Sequence, residues 1–174
     1  MTRRAESGAD AADETVRLLK QLGLTMATCE SLTGGGIGAT ITAVPGASEV
    51  FRGGLITYAS DLKVSLAGVA ADHVARHGVV NERTAKEMAV GAAWNCRADI
   101  GLSATGVAGP DRQDGEPPGT VWLGLELPVR WACRIRARRL HLAGQRAEIR
   151  QQTICAALDW LNECLTESGV AGQE

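Results

Sequence analysis

The chain has 174 residues, 45% of them hydrophobic, with a formal net charge of −2 and a pI near 5.9. That is material for one buried core, and the charge balance excludes a global basic field for nucleic acid. One domain spanning residues 1–174 is expected.

Five cysteines, at positions 29, 96, 133, 155 and 164, are odd in number and form no C-x-x-C pair, which suits free thiols in a reducing compartment. The histidines His73, His77 and His141 form no metal box, so no metal is expected. Polar and small residues follow Arg3-Arg4 where a signal peptide needs an apolar stretch, and no run reaches membrane-span length. A cytoplasmic protein with no membrane or nucleic-acid partner is the expectation. Arginines crowd the last third (Arg130, Arg134, Arg136, Arg138, Arg139, Arg146 and Arg150). Solvated strand and helix faces, or an anion site using one or two of them, both account for this.

In chain order, residues 1–12 read as a frayed polar end, as do residues 167–174. Val16, Leu19 and Leu22 keep helical spacing up to a stop at Gly23. Thr25 to Cys29 predicts a strand, Gly34-Gly35-Gly36 a turn, and Ile37 to Ala43 a helix ended by Pro45-Gly46. A second strand is predicted from Phe51 to Tyr58, then a helical turn capped by Asp61 and carrying Lys63 and Leu66. Asp72 to His77 predicts a short helix closed by Gly78. Asn81 caps a longer one whose Ala85, Met88, Ala89, Ala92 and Cys96 share a face. Strands are predicted at Asp99 to Thr105, Thr120 to Glu126 and Cys133 to Leu140, with a Gly- and Pro-dense binding loop over residues 105–119. A last helix from Arg146 to Leu165 puts Ile154, Ala157, Leu158, Leu161 and Leu165 on one side. Helices alternating with about five strands imply a layered α/β sandwich, with ligands at strand ends.

Chemistry concentrates in Thr25 to Gly38, TMATCESLTGGGIG. A strand-turn-helix delivers the Ser31 hydroxyl to a sheet end, where glycines let backbone amides face a ligand. Structural turn, phosphate cradle and nucleophile turn all fit that pattern. No Gly-Lys-Ser/Thr follows Gly36, which weakens an NTPase P-loop. Only three lysines occur among eighteen basic residues, and Lys63 stands just after a strand, near Tyr58, the sole tyrosine. Arginine stays charged at any working pH, whereas a desolvated lysine can lose its proton and act as a base. A solvated helix lysine is the bland alternative. If Lys63 meets Ser31, it takes the hydroxyl proton and returns it to a leaving nitrogen, Tyr58 bridges or orients the transfer, and amides near Thr33 and Gly34 hold the oxyanion. Cys29 is a competing nucleophile, more simply read as a small buried hydrophobe.

ESLTGG (Glu30 to Gly35), VPGAS (Val44 to Ser48), GGLITYASDLK ending at Lys63, HGVV (His77 to Val80), TGVAGP (Thr105 to Pro110), PPGTVWLG (Pro117 to Gly124) and GQRAEIR (Gly144 to Arg150) occur in this order. With them the chain, from about Leu18 to Leu161, resembles the C-terminal domain of the CinA competence/damage-inducible proteins, which also occurs alone as a nicotinamide-nucleotide amidohydrolase. The resemblance implies a three-layer α/β/α sandwich with a mixed sheet. It implies hydrolysis of nicotinamide mononucleotide to nicotinic acid mononucleotide and ammonia, in pyridine nucleotide salvage, with no cofactor. Ser31 and Lys63 would be catalytic, with Tyr58 as the accompanying hydroxyl. Glu30, Thr33, Gly34, Gly35, Thr105, Gly106 and Arg146 would meet the substrate, Arg146 at its phosphate. A homo-oligomer of the stand-alone form is expected. A CinA-like nucleotide-binding or regulatory module with little turnover is the alternative.

Departures from the family pattern are Leu32 where cysteine is usual, Asn81 for serine, and Asp111-Arg112-Gln113 where glycines are common. The last exchange puts bulk beside the expected pocket.

Overall fold

The computed structural model describes residues 8–131 and 134–171. Its elements are α1 (Gly8–Leu22), β1 (Met26–Glu30), α2 (Gly36–Thr42), a 3-10 turn (Ala47–Glu49), β2 (Phe51–Ile56), α3 (Ser60–Ser65), α4 (Ala71–His77), α5 (Glu82–Cys96), β3 (Ile100–Gly106), β4 (Thr120–Glu126), β5 (Ile135–His141) and α6 (Arg146–Ala171).

The five strands form one mixed sheet in the order β2-β1-β3-β4-β5. β1 is parallel to both β2 and β3, while β4 runs antiparallel to β3 and β5. β1 and β3 are buried along their whole length. Such strands must be apolar on both faces, and here each face meets helices. Met26, Ile100, Leu102, Ala104, Val121, Leu123 and Leu125 pack against α1, α2 and α6. Ala27 and Cys29 point the other way, to Met88 and Ala92 of α5. The result is a three-layer α/β/α sandwich, as the motifs implied.

The helix faces read from spacing are the buried ones, Ala85, Met88, Ala89 and Ala92 on α5, and Ile154, Ala157, Leu158, Leu161 and Leu165 on α6, while Cys96 at the end of the α5 series is only partly buried. α5 lies so close to the sheet that a Cβ at Gly101 or Gly124 would run into the carbonyls of Ala89 and Ala85. Ser103, between them on the same face, donates from Oγ to the Ala85 carbonyl at 2.6 Å.

Three readings of the ends are corrected. Gly8–Ala12 is helical rather than frayed, because Ala11 and Ala12 are buried and Asn162 of α6 donates to the Ala11 carbonyl at 2.9 Å. α6 continues past Leu165 to Ala171, so the expected frayed end at residues 167–171 is helix. Residues 1–7 and 172–174, and Cys133 at the head of the predicted fifth strand, lie outside the described residues. Asp61 is not a cap either: α3 is entered from Ala59, with no side-chain cap, and Asp61 sits in its first turn. Asn81 caps α5 as predicted, its side-chain oxygen accepting from the Thr84 amide at 2.9 Å.

β1 is where the sheet changes direction. The chain leaves it for β2 on one side and returns to β3 on the other, with α2 and α5 on opposite faces. The crevice beyond the end of such a strand is where ligands bind in open α/β sheets.

Candidate active site

Ser31 follows the last residue of β1, and its amide donates to the Ala104 carbonyl of β3 at 3.0 Å. The neighbouring strand is tied in the same way, Thr57 N donating to the Glu30 carbonyl at 2.9 Å. These bonds extend the parallel ladder one residue past the strand ends, which holds Ser31 rigidly over the sheet. The turn that follows uses Gly34 and Gly35 at φ values of 62° and 93°, a left-handed conformation costly for any side chain-bearing residue.

β2 ends beside β1, so α3 starts close to Ser31 and brings Lys63 back over it. Lys63 is only 1% exposed. Its Nζ lies 3.0 Å from Ser31 Oγ and donates to the Thr57 carbonyl at 2.7 Å, with the Tyr58 carbonyl at 3.5 Å. Burial pushes the ammonium pKa down, and the charges of a Cys29 thiolate and of Asp114 push it back up. The first of those opposing charges is absent at neutral pH. Cys29 is itself fully buried, and desolvation raises its thiol to about 11 despite the Thr57 hydroxyl 3.4 Å away. Desolvation therefore prevails at Lys63. The same burial weighs against Cys29 as the competing nucleophile, since a neutral buried thiol is a poor one.

Glu30 turns away from the hydroxyl of Ser31. Its carboxylate, 1% exposed, accepts from the amides of Ile37 at 3.0 Å and Gly38 at 2.8 Å, and from Thr28 Oγ1 at 3.3 Å. It fastens the entrance of α2 to the end of β1, two elements on either side of the Ser31 turn. Its expected place against substrate is thus taken by backbone. Thr105 is also engaged internally, Oγ1 donating to the Val79 carbonyl at 2.9 Å, and Gly106 packs so tightly on β4 that a Cβ would meet Thr120 O at 2.6 Å. Thr33 is fully buried, and its Oγ1 finds no partner among the described residues.

The Tyr58 hydroxyl is not placed on the dyad. The residue is 59% exposed and its oxygen accepts from Arg146 Nη2 at 2.7 Å, while Arg146 Nη1 donates to the Gly109 carbonyl at 2.8 Å. Arg146, at the start of α6, therefore links the Tyr58 segment to the loop after β3. That loop is not structureless: Gln113 and Glu116 form a bridge, and Asp114 accepts from the amides of Val79 at 2.5 Å and Val80 at 3.1 Å. Asp111, Arg112 and Gln113 are exposed on it.

Arg150 stands in the sequence among the clustered arginines and as the end of GQRAEIR, but without a role of its own. One turn beyond Arg146 on α6, it donates through Nε to the Leu32 carbonyl at 2.9 Å and through Nη2 to the Thr33 carbonyl at 3.0 Å. The four-residue spacing within GQRAEIR put both arginines on one helix face and was the available signal.

No three histidine, cysteine or acidic side chains gather as a metal site among the described residues. Nor, among them, is any helix long and apolar enough to cross a membrane. A surface cavity of about 920 Å³ lies beside Trp94, Arg97, Glu126 and Arg130 and includes none of the residues above. Chemistry rather than volume marks the end of β1.

Residues 9–165 match the model of the CinA C-terminal domain. A protein named as competence-damage inducible from Limosilactobacillus fermentum is 47% identical over 149 residues, 85% of this chain and 35% of the relative. A CinA-like protein of Citrifermentans bemidjiense is 42% identical over 162 residues, covering 92% of this chain and 38% of the relative. The chain thus spans about a third of the length of the curated relatives it matches. Among solved structures, a CinA superfamily protein from Klebsiella pneumoniae superposes with a TM-score of 0.88 at 28% identity, over 93% of this chain and 99% of that one. The competence/damage-inducible protein CihA from Agrobacterium tumefaciens gives 0.85 at 30%, over 95% and 99%.

Proposed function

The chain belongs to the CinA C-terminal domain family, and from that premise we propose that it is a Ser-Lys amidohydrolase converting nicotinamide mononucleotide to nicotinic acid mononucleotide and ammonia. The observation that carries the reading is the buried contact of 3.0 Å between Lys63 Nζ and Ser31 Oγ. With its proton lost, Lys63 accepts the serine proton as Oγ bonds to the amide carbon. The amide oxygen takes the negative charge. Lys63 then returns the proton to the departing nitrogen, the C–N bond breaks, and ammonia leaves an ester on Ser31. Water, deprotonated by the same amine, cleaves that ester and restores the hydroxyl.

Three further features support the reading. Among the described residues the buried amides of Leu32 and Thr33 donate to no acceptor, whereas the Gly34 amide is used by the Ser31 carbonyl at 3.0 Å. Arg146 keeps N–H groups beyond the two it uses, which suits a phosphate. Neither step calls for a cofactor.

A nucleotide-binding module with little turnover is favoured by one observation. The Thr57 and Tyr58 carbonyls accept from Lys63 and stabilise its ammonium form, which is no base. Ammonia release from nicotinamide mononucleotide by wild type, Ser31→Ala and Lys63→Met decides between the two. The hydrolase reading expects turnover in wild type and a loss of at least about 1,000-fold in either variant. Nucleotide binding without turnover by wild type would leave the module.

A further inference from the structure

The loop after β3 starts beside Ser31, because the carbonyl that receives the Ser31 amide at 3.0 Å belongs to Ala104, near the end of that strand. Its neck is closed by Gly119 N on the Val107 carbonyl at 2.8 Å and by Val107 N on the Thr120 carbonyl at 2.9 Å. Beyond the neck the loop is held at separate points. Arg146 of α6 donates to the Gly109 carbonyl at 2.8 Å, and Glu116 pairs with Arg139 of β5 at 2.9 Å. On the side of α5, Asp114 Oδ2 accepts from the successive amides of Val79 at 2.5 Å and Val80 at 3.1 Å. The Val79-Val80 peptide is thus gripped at both ends, its N–H by Asp114 and its carbonyl by Thr105 Oγ1 at 2.9 Å.

Asp114 stands at a φ of 53°, a left-handed conformation that aspartate, asparagine and glycine enter most readily. Space for its carboxylate comes from Gly78, where a Cβ would run into it. We propose that Asp114 is a positioning residue that fastens the loop of residues 107–119 to the head of α5 and thereby keeps a carboxylate charge within reach of Lys63, an inference whose catalytic consequence rests on the hydrolase reading. Of the ionisable groups around Lys63, Cys29 of β1 is neutral until the pH nears 11, and Glu30 is turned to the amides of Ile37 and Gly38. Asp114 is the charged group that acts on the ammonium at neutral pH. An anion there favours the protonated amine, so the contact that orders the loop also opposes loss of the Lys63 proton.

The test compares Asp114→Asn and Asp114→Gly with wild type. Both replacements accept a positive φ, but asparagine keeps an acceptor oxygen without the charge, whereas glycine keeps neither. Lysine carrying 13C at Cε gives three resonances, from Lys20, Lys63 and Lys86, so the Lys63 midpoint is read directly by NMR titration without any substrate. That midpoint should move to lower pH in both variants, while the midpoint of Lys20, paired with Glu49 at 2.8 Å, stays in place. Trypsin cleavage after Arg112, exposed on the same loop, should be about 10-fold faster in Asp114→Gly and within about threefold of wild type in Asp114→Asn. On nicotinamide mononucleotide, Asp114→Asn should raise kcat/KM about threefold on the acid side of its pH profile. Asp114→Gly should raise KM about 10-fold, as the Gly109 anchor of Arg146 loosens.

A Lys63 midpoint that stays in place in both variants overturns the inference, even where cleavage speeds up, because a contact with no bearing on the site would change cleavage alone. Cleavage of Asp114→Gly at the wild-type rate overturns it as well, since the loop is then held without the carboxylate. If wild type does not turn over the mononucleotide while midpoint and cleavage move as expected, the substrate reading fails and the role of Asp114 stands. If wild type turns over and neither moves, the hydrolase reading stands and the inference falls.

Discussion

Lys63 Nζ is closer to the Thr57 carbonyl, at 2.7 Å, than to Ser31 Oγ, at 3.0 Å. Each contact favours a different protonation state. The carbonyl can only accept, so it stabilises the ammonium. The hydroxyl can also donate, so it can pair with the neutral amine. Burial tips the balance toward the neutral form by lowering the pKa from the ordinary lysine value of 10.5.

Two pH effects follow. Activity needs the neutral amine, so kcat/KM should rise with pH along a limb whose midpoint lies below 10.5. Stability moves in the same direction. Between the lowered folded pKa and the ordinary unfolded one, the unfolded chain binds more protons, so the Lys63 contribution to unfolding free energy grows with pH. Below the folded pKa both states are protonated and the contribution is flat at its least favourable value. Denaturant titrations of wild type and Lys63→Met should therefore diverge as pH climbs through that window, in favour of wild type. A constant difference across the range would show that Lys63 titrates at its ordinary value.

Cys29 shares β1 with the end that carries Ser31, and its thiol is held protonated by burial, with a pKa of about 11. Native protein at pH 8 should resist alkylation at this position, while denatured protein reacts. Cys29→Ala should keep kcat within about threefold of wild type, its cost limited to a small cavity beside Ala67 and Met88. Mass spectrometry of iodoacetamide-treated protein, paired with the activity assay, checks both. Loss of activity in Cys29→Ala at full folding would return the thiol to the list of nucleophiles.

Sequence periodicity reached the layers and the turn because both are local or repeat locally. α5 and α6 announce their buried faces through apolar residues three and four apart, and Gly34 and Gly35 announce a left-handed turn. What escaped is what only tertiary contact creates. Gly8–Ala12 has the composition of a frayed end and becomes helix by docking on Asn162, 151 residues away from Ala11 in the chain. The Glu30 carboxylate faces α2 because strand parity sends it to the same side as Met26, opposite Cys29. Tyr58 and Arg146, 88 residues apart, meet only once α6 closes over the strand ends.

Glu30 supplies the next test. Its carboxylate is buried and holds two amides at the entrance of α2, where the helix dipole adds to the attraction. Glu30→Ala leaves those amides without acceptors in a dry site, and should cost about 3 kcal/mol of unfolding free energy. Glu30→Gln keeps one acceptor oxygen and should lose less. Because α2 and β1 bracket the turn holding Ser31, kcat should drop in both variants in the same order as stability. Glu30→Gln with full stability and a large rise in KM would instead place the side chain against substrate.

Tyr58→Phe separates two uses of one hydroxyl. The family resemblance would have it accompany the proton transfer, whereas here its oxygen accepts from Arg146 and its residue is largely exposed. Removing it leaves the contact of 3.0 Å between Lys63 and Ser31 intact, since Lys63 touches the Tyr58 backbone rather than its ring. It frees Arg146 on the side facing α3, loosening a guanidinium suited to a phosphate. The expected outcome is a KM for nicotinamide mononucleotide raised by about 10-fold, with kcat within about fivefold of wild type, since the lost hydroxyl acts on binding more than on chemistry. A nucleoside lacking the phosphate should feel the substitution less. If kcat instead collapses while KM holds, the hydroxyl works in the proton transfer, and the unliganded arrangement must rearrange when substrate arrives.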